Sequence, residues 1–165
     1  ARPWAIPGTP GLMHRIGGIE KEDGTGNVNY EPANHEHMVR LRAEKIARIA
    51  NELPPVTVDD PDGASLLVLG WGSTWGVIQQ AARQAREDGI SVAHAHLMHL
   101  NPFPSNLGEV LAGFKQVLVP EMNLGQLSRL VRAEFLVDAK TLSKVQGLPF
   151  RAAEIETAIR EMTRG

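Results

Sequence analysis

The run Gly70-Trp71-Gly72-Ser73-Thr74-Trp75-Gly76 is the stretch whose residue types and spacing come nearest to cofactor chemistry. It follows Leu66-Leu67-Val68-Leu69, which reads as a short strand covered on both faces. Glycine-rich turns between strand and helix cradle phosphates, because bare backbone N–H groups can approach an anion there. The dinucleotide fingerprint, however, needs glycines at its first, third and sixth positions. Gly70 and Gly72 supply the first two, but Trp75 stands sixth and Gly76 arrives one residue late. A tryptophan there obstructs the close packing of helix on strand. The next strand ends in His94-Ala95-His96 rather than in the acid that would hold a ribose. No lysine follows the turn, so a Walker-type phosphate loop is excluded as well. Ser73 is no nucleophile elbow, since Trp75 replaces the closing glycine of Gly-x-Ser-x-Gly. The expectation is a tight strand–helix turn capped by Ser73 or Thr74.

Histidines are the second candidate. His94 and His96 point to one side of a strand, shared with Ile90 and Val92, and His99 follows in a loop. Such a pair can ligate a metal, but no carboxylate joins them locally. They read as satisfied or interfacial side chains. His35 and His37, at the start of a long helix, read as solvent-facing. A second notable turn is Pro120–Leu127. Glu121 closes a strand there, and Asn123 opens a helix with Gln126 at capping-box spacing. Both turns belong at the carboxyl edge of a sheet, where open α/β folds bind ligands or neighbours.

The elements that must position these residues alternate. Strands are expected at 66–70, 90–96, 116–120 and, polar enough to be an edge, 141–146. Helices are expected at about 75–88, 107–112, 123–135 and 152–163. Ile78, Ala81, Ala82 and Ala85 stripe the first of these, and Ile155, Ala158, Ile159 and Met162 the last. This order predicts a three-layer α/β fold with a mostly parallel sheet and one antiparallel edge strand. Before it lies something different in kind. Residues 1–33 form a Gly/Pro-rich extended arm, with turns at 8–11, 17–18 and 23–26. Trp4, Ile6, Leu12, Met13, Ile16 and Ile19 suit an arm laid on a neighbouring domain better than a solvated leader. Residues 34–55 hold a helix, 34–53, capped by Asn34 and stopped by Pro54-Pro55, and the start of a linker that runs on through 65 with a turn at Pro61-Asp62-Gly63. The α/β domain takes 56–165.

Composition narrows the function classes. A formal net charge of -2 gives no electrostatic case for nucleic acid or an anionic membrane. No apolar run reaches membrane-spanning length and no signal segment is evident, which fits a cytoplasmic location. Cysteine is absent, so thiolate catalysis and clusters ligated by cysteines of this chain are excluded. The chain begins at Ala1 inside Gly/Pro-rich sequence, as a piece of a longer polypeptide would.

Three stretches, 66–73, Leu100-Asn101-Pro102-Phe103-Pro104 and 119–127, resemble the transketolase C-terminal-like domain in alpha subunits of 2-oxoacid:ferredoxin oxidoreductases. IPGTPG (6–11), 17–38 and 40–49 resemble the region after that subunit's pyrimidine-binding domain, so the likeness covers almost the whole chain. Glu20-Lys21-Glu22 departs from the family's Glu-His-(Asp/Asn), and no role of that histidine carries over. The nearest branch is the 2-oxoglutarate-using one, of actinobacterial type. The resemblance implies oxidative decarboxylation of a 2-oxo acid to an acyl-coenzyme A, with electrons leaving for ferredoxin. It places thiamine diphosphate, magnesium and an iron–sulfur cluster in a partner beta subunit. This chain would then be a non-catalytic assembly domain, inactive alone, with no catalytic, cofactor or metal residue of its own. Its partners would be the beta subunit and the upstream alpha domains, with coenzyme A and ferredoxin met by the whole complex. The domain-edge candidates are Gly70, Gly72, Ser73, Asn101, Pro102, Phe103, Glu121, Asn123, Gly125 and Gln126. Two other readings stay open: the same fold in another thiamine-dependent dehydrogenase or synthase, and a stand-alone small-molecule or anion-binding module.

Overall fold

The structure, a computed structural model, describes residues 4–60 and 63–164. The Pro61-Asp62 part of the expected turn lies outside them. The chain divides into two compact units, Ala1–Ile49 and Ala50–Gly165.

In the first unit, Lys21 and Val28 form an antiparallel bridge around the 22–27 turn. Helix α1 runs Pro32–Ala47. A residue before proline is pushed into extended backbone, and Glu31 has ψ 134°, so the helix begins at the proline. Asn34 therefore lies inside the first turn and is no cap; its amide donates to the Lys21 carbonyl at 3.4 Å. The loop is tied down by Glu20, whose carboxylate accepts from Arg42 at 2.8 Å and meets His35 Nδ1 at 2.5 Å. The hydrogen bonds from Arg42 first and His35 second hold the Glu20 carboxyl below its ordinary range. His37 meets Asp23 at 3.3 Å, so both exposed histidines have partners in the loop. No side chain of α1 is buried.

The second unit is a five-stranded sheet ordered β1-β3-β2-β4-β5. Its strands are β1 (Val58–Asp59), β2 (Leu66–Trp71), β3 (Ala93–Leu97), β4 (Gln116–Glu121) and β5 (Ala139–Ser143). Helices α2 (Trp75–Glu87), α3 (Leu107–Ala112), α4 (Gln126–Phe135) and α5 (Ala152–Thr163) follow β2, β3, β4 and β5. Ile78, Ala81, Ala82 and Ala85 of α2 and Ile155 and Ile159 of α5 pack on one face of the sheet with Leu66, Val68 and Leu118. Leu107 and Leu111 of α3 and Leu127 and Val131 of α4 cover the other face with Leu67, Leu69, Val117 and Val119. The three layers, α2 and the stripes of α2 and α5 follow the sequence pattern. Two features differ from it. The one antiparallel edge strand is present as expected, but it is β1, from residues that read as linker, while the polar edge strand β5 is parallel to β4. The second strand starts at Ala93, three residues later than its apolar run.

The central ladder is interrupted for a covalent reason. Gln116 donates its N–H to the Ser65 carbonyl, so the even positions of β4 face β2. Pro120 then meets β2 with no N–H to give. Pairing of β2 with β4 runs from Leu66 to Val68 and stops. Beyond it Leu69–Trp71 pair only with β3, and Val119–Glu121 only with β5.

Gly70 is needed where it stands. A Cβ there would lie 2.5 Å from Ile78 Cδ1 and 2.8 Å from His96 Nδ1. Gly70→Ala should therefore lower the unfolding free energy by about 1–3 kcal/mol through overpacking. Urea denaturation measures it; an unchanged midpoint would mean the α2 contact yields freely.

Candidate functional site

Because α2 and α4 leave β2 and β4 toward opposite faces, the carboxyl ends of these adjacent strands form the topological switch point of the sheet. The Gly72-Ser73 turn and the Glu121–Gly125 turn stand at it. Gly72, with φ 58°, begins a 3-10 turn, Gly72–Thr74. Gly72 and Ser73 are exposed, whereas Thr74 is buried and does the tying. Its hydroxyl accepts from Trp71 N–H at 3.2 Å and donates to the Trp71 carbonyl at 2.8 Å. Thr74 stands at the N-cap of α2 but makes no side-chain bond to that helix, so the expected cap is replaced by a tie back to Trp71.

The second turn is built on Glu121, which is 0 % exposed. Its two carboxylate oxygens accept Leu127 N–H at 2.7 Å and Ser128 N–H at 2.9 Å, in the first turn of α4. Asn123 Oδ1 accepts from Gly125 N–H and Gln126 N–H, both at 2.8 Å. The helix starts at Gln126 rather than at Asn123, so the reciprocal capping box is replaced by an Asx turn plus a strand carboxylate. Gly125 has φ 82°, and a Cβ there would meet Ser128 Oγ at 3.0 Å. Ser128 in turn accepts from the Thr141 hydroxyl at 2.6 Å, which links the turn to β5. The orphan N–H groups that make a helix start attractive to an anion are thus already met by the chain's own carboxylate.

Asn101, Pro102 and Phe103 lie in the connection after β3, and the Asn101–Pro102 peptide is cis. Asn101 is exposed; the Phe103 ring packs 5.6 Å from that of Phe135. Asn106, which nothing in the pattern singles out, pairs with Val56 through both its amide atoms, at 2.8 and 2.9 Å. Along the carboxyl edge large apolar side chains stay exposed: Trp75 after β2, Met98 at 80 % after β3, Met122 and Leu124 after β4.

His94 and His96 differ from expectation. Both lie on the α2 side of β3, and His94 is only 5 % exposed. Yet His94 Nε2 and His96 Nδ1 are buried with no hydrogen-bond partner among the described residues. Burial, then the neighbouring His96, pushes His94 down to about 4; Asp59 opposes this and Arg86 adds to it. Among the described residues no group of three or more His, Cys, Asp or Glu could hold a metal ion. No helix among them is long and apolar enough to cross a membrane.

Two outcomes follow. Glu121→Gln turns one acceptor into a donor facing an N–H, and should cost about 2–3 kcal/mol. A change under about 0.5 kcal/mol in chemical denaturation would show that α4 does not depend on it. Neutral His94 is favoured by the fold, so its contribution is complete above the ordinary histidine range. It is lost as pH falls from about 6.5 to about 4, by about 3 kcal/mol. His94→Gln should flatten that part of the stability–pH curve.

Set beside known proteins, residues 64–158 match the family model described as pyruvate:ferredoxin oxidoreductase core domain II. The chain is 54% identical over 166 residues to the 2-oxoglutarate oxidoreductase subunit KorA of Mycobacterium tuberculosis (strain ATCC 25618 / H37Rv). That alignment takes in 100% of this chain and 25% of the relative, so the chain spans about a quarter of its length. The 2-oxoglutarate synthase subunit KorA of Methanocaldococcus jannaschii is 31% identical over 142 residues, covering 83% of this chain and 37% of that one. A solved 2-oxoglutarate:ferredoxin oxidoreductase from Magnetococcus marinus, with 2-oxoglutarate, coenzyme A and succinyl-CoA bound, superposes with a TM-score of 0.83. It is 34% identical and covers 96% of this chain and 28% of that one. A split-gene transketolase, an inactive beta4 tetramer, shares the fold at TM-score 0.51 and 16% identity over 66% of this chain and 42% of its own. With more than half of its residues matched by one family model, the chain belongs to the pyruvate:ferredoxin oxidoreductase core domain II family.

Proposed function

We propose that this chain is a packing domain within the alpha subunit of a 2-oxoglutarate:ferredoxin oxidoreductase. The observation that carries the reading is similarity along the whole chain to subunit KorA, joined to a carboxyl edge whose α4 helix start is filled by Glu121. The parent reaction would convert 2-oxoglutarate and coenzyme A to succinyl-CoA, carbon dioxide and a proton, with the released electron pair passing to ferredoxin. Thiamine diphosphate would supply the electron sink for decarboxylation. This chain's residues do not fit the cluster: without cysteine it offers no thiolate ligand. In this proposal those groups belong to a partner beta subunit, and no step of the reaction passes through them here.

What the chain supplies is surface. Residues 1–33 act as an arm, 34–55 as a helix and linker start, and 56–165 as the α/β domain. In the arm, Trp4 is 90 % exposed, and Ile6, Met13, Ile16 and Ile19 are exposed with it. Apolar exposure on this scale marks a surface meant to be covered. The domain edge, with Trp75, Met98 and Leu124, offers a second such surface. The remaining alpha-subunit domains and the beta subunit would cover both, in the cytoplasm.

The test uses the full-length alpha subunit co-expressed with its beta partner. Replacing Trp4, Ile6, Met13, Ile16 and Ile19 by serine should leave helical circular dichroism unchanged. The yield of the brown alpha–beta complex should fall at least about tenfold, the loss of roughly one anchor's binding energy. Specific activity per assembled complex should stay constant. Normal assembly with lost activity would overturn the packing role.

A further inference from the structure

His96 occupies an unusual position for a group that can take a second proton. It pairs in register with Gly70, and its ring lies over that glycine: Nδ1 is 2.8 Å from where a Cβ would be. Its Nε2–H donates to the Gly72 carbonyl at 3.2 Å, across to the start of the 3-10 turn. Nδ1 is enclosed and has no partner among the described residues. The neutral tautomer fits this place, with one proton on Gly72 and a bare Nδ1. A second proton would put a donor and a charge at an enclosed ring nitrogen that has no partner among the described residues. The Gly72 bond could survive protonation, whereas Nδ1 has no partner in place among the described residues. The ring has an exit, because His96 is only half-buried and stands at the carboxyl edge.

We propose that His96 is a proton-operated latch on the Gly72–Thr74 turn: neutral, it ties the turn to β3, and protonated, it swings to solvent and frees the turn. Side chains of β3 and of the turn face it. His94 lies edge-on, with 6.1 Å between ring centroids, and the Thr74 hydroxyl borders the same notch above Gly70. Asp59 and Arg86 act on His94 in opposite senses. Burial holds His96 below the usual histidine range, and the Gly72 bond draws it part of the way back. The latch therefore opens on the acid side of that range. Its consequence for assembly rests on the packing role proposed above, since the freed turn belongs to the carboxyl edge that would meet a partner. The latch itself does not.

Trp71 and Trp75 flank the turn, and Trp4 is the remaining tryptophan. In the full 165-residue chain carrying Trp4→Phe, emission therefore reports the turn. Emission and the His96 Cε1–H resonance are followed together through a pH titration. A red shift coincident with the His96 titration, while far-ultraviolet circular dichroism stays native, supports the latch. His96→Gln keeps a donor for Gly72 and cannot titrate, so it should lose the emission step. Titration of His96 without any change in emission, or an undiminished step in His96→Gln, overturns the proposal. If His96→Gln does not fold, the coincidence of the two signals in the parent chain decides. No partner is present, so a negative result leaves the co-expression test untouched, and failed assembly there leaves this titration untouched.

Discussion

One missing hydrogen organises the carboxyl edge of this domain. Pro120 sits in the middle of a sheet, on the side of β4 that faces β2, and has nothing to donate. In most central strands that would be a defect. Here it ends the β2–β4 ladder after Val68, and the two strands turn their last residues to outer neighbours. Each end then needs another way to close. β2 closes through the Thr74 hydroxyl, and β4 through Glu121, whose carboxylate reaches into α4 while its carbonyl accepts Lys144 N–H. At the switch point the start of α4 is thus filled by the chain's own polar groups, while the start of α2 carries no side-chain cap.

The parts of the fold that were legible in sequence are those whose pattern is decided locally. The stripe Ile78, Ala81, Ala82, Ala85 declares α2, because a helix buries every third or fourth residue whatever lies opposite. The limits of α5, Ala152–Thr163, follow from its stripe in the same way. β1 is the counterexample. Val58–Asp59 is too short to show a period, and it is a strand because β3 pairs with it and Arg86 grips Asp59 at 2.9 Å. The direction of the edge strands was equally hidden. β5 is polar, as an edge should be, but the crossover through α4 returns it parallel. At α1 two local rules competed, and the backbone restriction before Pro32 outweighed the capping preference of Asn34.

For the site, sequence located both turns but misassigned the work within them. Small residues and prolines mark where the chain must turn sharply, and that information is local. The partners of Glu121 stand six and seven residues away on another element, and Asn106 acts fifty residues from Val56. No periodicity records such bonds. The histidines failed for a related reason. A polar side chain on a buried strand face is expected to find a partner. Whether His94 Nε2 does so depends on what α2 and β1 bring above it, and they bring none.

These bonds also bear on what kind of surface the edge is. An external anion at α4 would have to displace a carboxylate that is fully enclosed and bonded to two N–H groups. That exchange forfeits two charge-assisted bonds before any is gained. The neighbouring side chains Met98, Leu124 and Trp75 offer the reverse balance. They stand in water already, so covering them releases free energy without breaking a bond. A contact there gains by burying apolar area and loses little, whereas a phosphate gains little and loses a cap. Phosphate-binding α/β folds of other kinds present empty helix starts to their ligands. In this domain Glu121 has closed one of them from within, and that closure is what the packing role proposed for this edge rests on.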